Sequence, residues 1–192
     1  MPVEELAQLA LRTCASPNHD ARPAGVAVSL IVVHAISLPP DEFGGPGVEQ
    51  LFTNTLDPDA HPYYATIHQL RVSAHYFIRR DGETLCFVDP ARRAWHAGVS
   101  CWQGREACND FSIGIELEGC DTQPFEAAQY ASLARLIGAL RARFPIADVV
   151  GHSDIAPGRK TDPGPFFDWS RLASLLSSGN DRRAGAHSHV KF

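Results

Sequence analysis

The sequence predicts a single α/β domain with a mixed central β-sheet flanked by α-helices. Three segments carry that expectation. VSLIVVH at 28–34 is a β-branched apolar run of the kind buried on both faces of a sheet. FSIGIELEG at 111–119 alternates with period two, placing Phe111, Ile113, Ile115 and Leu117 on one face and Ser112, Gly114, Glu116 and Glu118 on the other. FEAAQYASLARLIGALRARF at 125–144 spaces Leu133, Leu136, Ile137, Leu140 and Phe144 as an amphipathic helix covering a sheet does. Strand and helix patterns are interleaved, so one layered core suits the chain better than separate all-α and all-β parts.

In chain order, the strand at 28–34 ends on His34, where a side chain can face a cleft. The turn-forming SLPPDEFGGPG then precedes a short helix around Val48 to Thr53 and a loop through NTLDPDAHPYY. SAHYFIRRDGETLCFVD reads as a hairpin, with Asp81-Gly82 suited to a type I′ turn. After the strand at 111–119 and the long helix, which Pro145 ends, ADVV forms a short strand. FDWSRLASLL forms a last helix with Asp168 as its N-cap. The domain is expected to span 1–177, and the tail 178–192, with little to bury, to be disordered.

The 192 residues carry a net charge of -5 with only 17 Lys+Arg, which argues against nucleic acid or an anionic membrane as the main partner and favours a small substrate. Glu4 and Glu5 stand where a secretory signal would be basic, so a cytoplasmic location is expected. Five cysteines with no CxxC pair fit reduced thiols. Oligomeric state leaves no mark in the sequence, and a monomer is the default expectation.

The densest chemistry lies in GHSDIAPGRKTDPGP, 151–165, where three Pro and three Gly predict a shaped loop carrying His152, Lys160 and Asp162. Two neutral imidazoles and a carboxylate make a catalytic type of zinc site when one position is left for water. His34, His152 and Asp162 can supply that set, but spacing alone leaves His68, His75, His96 and Asp154 as rival ligands. Glu116, pointing away from the apolar face of its strand, is a candidate for moving protons.

Six segments in order, IVVHAISLPP, AHPYY, LRVSAHYFIRRDGE, RAWHAGVS, GREACNDFSIGIELEG and GHSDIAPGRKTDPGPFFDW, resemble the AmpD branch of the N-acetylmuramoyl-L-alanine amidases, relatives of the peptidoglycan recognition proteins. The likeness runs from about Val3 to Leu176. It implies that His34, His152 and Asp162 bind one Zn²⁺, with Asp162 where recognition-protein relatives often have Cys. It also implies that Glu116 and Lys160 sit in the active site, with Tyr63 nearby. Lys160 then stabilises an oxyanion or rivals Glu116 as the acid, and Tyr63 orients water or substrate through its hydroxyl.

Arg71 is expected to line the substrate cleft, because an arginine fork suits the carboxylates of a stem peptide, and His96 to line it as part of WHAG. The implied function is hydrolysis of the bond between 1,6-anhydro-N-acetylmuramic acid and L-alanine in small muropeptides. The alternatives are a non-catalytic binding module for peptidoglycan fragments and an amidase of intact cell wall.

Overall fold

The computed structural model describes residues 9, 11–180 and 189–190. Its main sheet has seven strands. In chain order these are β1 (Leu11–Thr13), β3 (Leu30–Ile36), β4 (Tyr76–Ile78), β5 (Thr84–Cys86), β9 (Ser112–Glu118), β10 (Asp148–Gly151) and β11 (His189–Val190). Short pairs are formed by β2 (His19–Asp20) with β6 (Arg93–Ala94) and by β7 (Cys101–Trp102) with β8 (Arg105–Glu106). The helices are α1 (Gly47–Phe52), α2 (Pro62–Ile67), α3 (Ala127–Arg143), α4 (His152–Ile155) and α5 (Trp169–Asn180).

Strand order is β1-β5-β4-β9-β3-β10-β11. β4, β9, β3 and β10 run parallel side by side, and β4 pairs antiparallel with β5, so the sheet is mixed as expected. The central strands therefore end together along one edge, where open α/β sheets collect their ligand sites.

One face of the sheet carries Ile31, Val33, Ile113, Ile115 and Leu117 and packs under Leu133, Leu136, Ile137 and Leu140 of α3 and Leu172 of α5. The predicted helical spacing is thus the packed face. Phe144 lies just past the helix end, partly buried against the same core. The other face is not open to water. Phe77 and Leu85 pack there with Leu51 and Phe52 of α1, and Leu30, Val32 and Val150 pack with Ala97, Cys108 and Phe111. This second cover buries all seven residues of β9.

Three local expectations are refined. The β4–β5 hairpin turns at Asp81-Gly82, but only Gly82 has positive φ (+90°), so the turn is not type I′. Instead, the Gly82 N–H donates to the Arg79 carbonyl and the Arg79 N–H to the Glu83 carbonyl. Gly82 thus supplies the one left-handed position of a wider turn. The segment after Gly151 is not loop throughout, because His152–Ile155 forms one helical turn whose start is tied by the Gly151 N–H donating to Asp154 Oδ2. The last helix begins as expected, with Asp168 Oδ1 accepting from the Arg171 N–H, and runs on to Asn180. Of the expected tail, residues 189–190 lie beside β10 as β11; residues 181–188 and 191–192 fall outside the described residues.

Candidate metal centre and active site

Strand register assembles the site. His34 of β3 stands directly across from Glu116 of β9, while on the other side of β3, Gly151 of β10 pairs with Val33. His152 follows Gly151 and so arrives beside His34. Asp162 returns from the loop, whose carbonyl accepts from the Ser153 N–H at 2.9 Å. Three residues far apart in sequence are thus brought together by two parallel strand pairings and one short loop.

Among the described residues, His34, His152 and Asp162 form the one His/Cys/Asp/Glu group with donor atoms clustered as a metal requires. His34 Nδ1 lies 2.9 Å from His152 Nδ1, and Asp162 Oδ2 lies 3.1 Å from both. Tetrahedral zinc with ligands at ~2.0–2.1 Å spaces its ligand atoms roughly 3.3 Å apart, so the cluster has close to the right size. Its chemistry also fits. His152 Nε2 is 3.1 Å from the Ala97 carbonyl, which can only accept, so Nε2 carries the proton and Nδ1 presents a lone pair.

Burial lowers the His34 pKa to about 4 despite the pull of Asp162, so its ring is neutral. Lone pairs and an anionic oxygen converging at such distances need a positive centre between them, and the residues fit a divalent metal.

The rival ligands have other partners. His75 Nδ1 accepts from the Gly114 N–H and its Nε2 faces the Arg92 carbonyl. Burial and then Arg22 lower its pKa to about 3. His68 is half-buried, with Nδ1 at the Ala65 carbonyl, and Asp154 holds the start of α4.

Glu116 is 9% exposed, so its strand face is not a solvated one. Its Oε1 is 4.0 Å from His34 Nδ1, and Oε2 is buried with no hydrogen-bond partner among the described residues. Burial, and then the Asp162 charge, raise its pKa well above the ordinary value, with Lys160 pulling the other way. A carboxyl so placed holds its proton to higher pH than an ordinary one and can pass it on.

These groups line a cavity of about 650 Å³ together with Lys160, Tyr63 and His96. Tyr63, near the start of α2, is exposed, while its neighbour Tyr64 is buried and packs in the core. Arg71 is not among the lining residues, although Leu70 and Val72 are. Its guanidinium donates to the carbonyls of His68 and Leu70. His96 does reach the cavity, but its Nδ1 lies 2.9 Å from His34 Nε2 and its Nε2 lies 3.2 Å from Ser112 Oγ. Sequence reading passed over Ser112, over Asn109, whose Oδ1 accepts from the His96 and Ala97 N–H groups, and over Arg159, which lines the cavity and donates to the Ala97 and Val99 carbonyls. Ser112 was within reach as a polar-face member of the alternating strand; the other two lie in turns that carry no periodic signal.

The model of the N-acetylmuramoyl-L-alanine amidase family matches residues 24–165, a span that holds His34, His152, Asp162 and Glu116. The chain belongs to that family. It is 59% identical over 169 residues to the 1,6-anhydro-N-acetylmuramyl-L-alanine amidase AmpD of Enterobacter cloacae, covering 87% of this chain and 90% of that one. Its fold is similar to the crystal structure of a selenomethionine derivative of AmpD, with a TM-score of 0.85 and 59% identity over 88% of this chain and 95% of that one. A more distant likeness, TM-score 0.57 and 34% identity over 80% of this chain and 60% of the other, is to the N-acetylmuramyl-L-alanine amidase AmiD of E. coli. That structure is a complex with anhydro-N-acetylmuramic acid-L-Ala-D-gamma-Glu-L-Lys. The protein is therefore an N-acetylmuramoyl-L-alanine amidase, and the cavity at the strand ends is its candidate active site. Among the described residues, no helix is long and apolar enough to cross a membrane.

Proposed function

We propose that this amidase is a zinc enzyme of peptidoglycan recycling that acts in the cytoplasm on small anhydromuropeptides, cutting between the lactyl group of 1,6-anhydro-N-acetylmuramic acid and L-alanine. The observation that carries the zinc reading is the convergence of His34 Nδ1, His152 Nδ1 and Asp162 Oδ2 beside a buried, unpaired Glu116. The substrate reading rests on the likeness to AmpD relatives and on a cavity sized for a small ligand. His34, His152 and Asp162 would hold the ion, which supplies a Lewis acid and lowers the pKa of water toward ~7.

The chain's own residues do the rest. Glu116 takes a proton from the attacking water and returns it to the amine that leaves with L-alanine. Its raised pKa suits a group that must accept and release a proton near neutral pH. Lys160 lines the same cavity and provides a cation for the oxyanion that develops when the amide carbonyl is attacked, a contribution commonly about 3 kcal/mol. Tyr63 offers a hydroxyl at the rim to orient substrate. In this reading the protein works as a monomer.

The test is incubation of purified protein with 1,6-anhydro-N-acetylmuramyl-tripeptide before and after chelation and zinc add-back, with peptide release followed by mass spectrometry. Cleavage lost on chelation and restored by zinc is the expected result. Binding without cleavage by the zinc-loaded protein would make it a recognition module, and preferential release from intact sacculi would make it a wall amidase.

A further inference from the structure

Both histidines of the cluster direct their outer nitrogen at one short segment, Trp95–Ala97. His152 Nε2 meets the Ala97 carbonyl, and His34 Nε2 meets the ring of His96. The proton order along the second contact follows from its far end. Ser112 Oγ lies 2.6 Å from the Cys108 carbonyl, which only accepts, so the hydroxyl proton is committed there. Ser112 Oγ then accepts from His96 Nε2–H at 3.2 Å, leaving His96 Nδ1 as an acceptor. His96 Nδ1 therefore takes the proton of His34 Nε2–H, and His34 Nδ1 is turned to the cluster with its lone pair free for a cation.

The segment is itself held. Asn109 Oδ1 accepts from both the His96 and Ala97 N–H groups, at 3.1 and 2.8 Å. The Trp95 carbonyl accepts from the Ser73 N–H at 3.0 Å. Space for the ring comes from Gly114, two residues before Glu116 on the same face of β9. A methyl group there would overlap the His96 imidazole. The polar face of β9 thus accepts a proton at Ser112, makes room at Gly114 and presents a carboxyl at Glu116.

We propose that His96 is a positioning residue rather than a substrate contact: through His96 and the Ala97 carbonyl, Trp95–Ala97 fixes the orientation of both histidine ligands, with Ser112 setting the proton order of the relay. The inference rests on the metal reading above, while the relay itself, from His34 Nε2 to the Cys108 carbonyl, is built from this chain's own residues. Outer partners of this kind commonly contribute a factor of ~10–100 to metal affinity.

The deciding experiment measures zinc affinity by competition with a chelator for the wild type, His96→Leu and His96→Asn. Leucine fills the space but cannot accept from His34; the asparagine amide oxygen stands near the place of Nδ1 and can. We expect a loss of ~10–100-fold for His96→Leu and at most ~3-fold for His96→Asn. Equal affinity for all three, or leucine outperforming asparagine, would mean that the ring only fills space. Should His96→Leu fail to fold, Ser112→Ala leaves the ring in place and is expected to weaken zinc ~3–10-fold; no change would overturn the proposal. A zinc-free measurement separates this inference from the metal reading. Long-range ¹H–¹⁵N spectra of the apoprotein should show His96 protonated on Nε2. Protonation on Nδ1 refutes the relay, whereas a wild type that binds no zinc but shows the Nε2–H form refutes the metal reading alone.

Discussion

Glu116 and Glu118 sit two residues apart on the same face of β9, both buried, at 9% and 3% exposure, yet their surroundings give them opposite work. Glu118 is saturated. Its Oε1 accepts from the Gly44 N–H at 2.6 Å and from Arg79 at 3.3 Å, its Oε2 accepts from the Arg80 N–H at 3.1 Å, and Arg79 also bonds Glu49. Glu116 has an oxygen with no partner and an anionic neighbour in Asp162. Burying a carboxyl is tolerable when partners replace its water. Where they are withheld, the group keeps its proton-transfer capacity at a cost in stability. A charged strand face therefore holds the structure at one position and, in the proposed mechanism, serves the chemistry at the next.

The largest effect is expected from removing the third member of the cluster. Asp162→Ala should abolish stoichiometric zinc binding and activity together, and full zinc by elemental analysis would remove Asp162 from the ligand set. Next, Glu116→Gln should keep zinc and thermal stability while kcat falls ~10²–10⁴-fold. Unchanged turnover would take Glu116 out of the proton path. Glu118→Ala is the mirror case. Leaving the Gly44 and Arg80 N–H groups without their acceptor and taking one of its carboxylates from Arg79 should cost about 3 kcal/mol of folding free energy, read by chemical denaturation, with kcat per folded molecule nearly unchanged.

The smallest effect is a difference in pH dependence. The folded state raises the Glu116 pKa, so its neutral form is favoured there. The associated stability is fully present below the ordinary carboxylate pKa and is lost as pH rises through the raised value. In metal-free protein, the stability advantage of Glu116→Gln over wild type should therefore grow from pH 4 upward. A constant difference would show that burial does not perturb this carboxyl.

Much of this was legible in the chain, and its limits were local too. Period-two alternation located β9 and the face that bears Glu116, and helical spacing located α3, because both signals come from the geometry of a single element. That Glu116 would be buried was not legible, since the cover over that face comes from residues as distant as Leu51 and Ala97. Asp81-Gly82 marked the hairpin, but which positive-φ turn it makes depends on how the two strands pair. Arg71 was expected in the cleft because an arginine fork suits carboxylates, and here its side chain bonds the carbonyls of His68 and Leu70. His96 lines the cavity, but its contact with His34 could not be read from WHAG.

The residue types needed for metal and proton chemistry, the strand that carries Glu116 and the helix that backs it were determined by the sequence alone, because periodicity and turn chemistry act over a few residues. Spacing left open which histidines of the several candidates meet; the resemblance implied His34 and His152, and the tertiary structure brings their Nδ1 atoms within 2.9 Å. That depends on the register of β3 against β9 and β10, and register is set by burial across the whole sheet rather than by any segment of it.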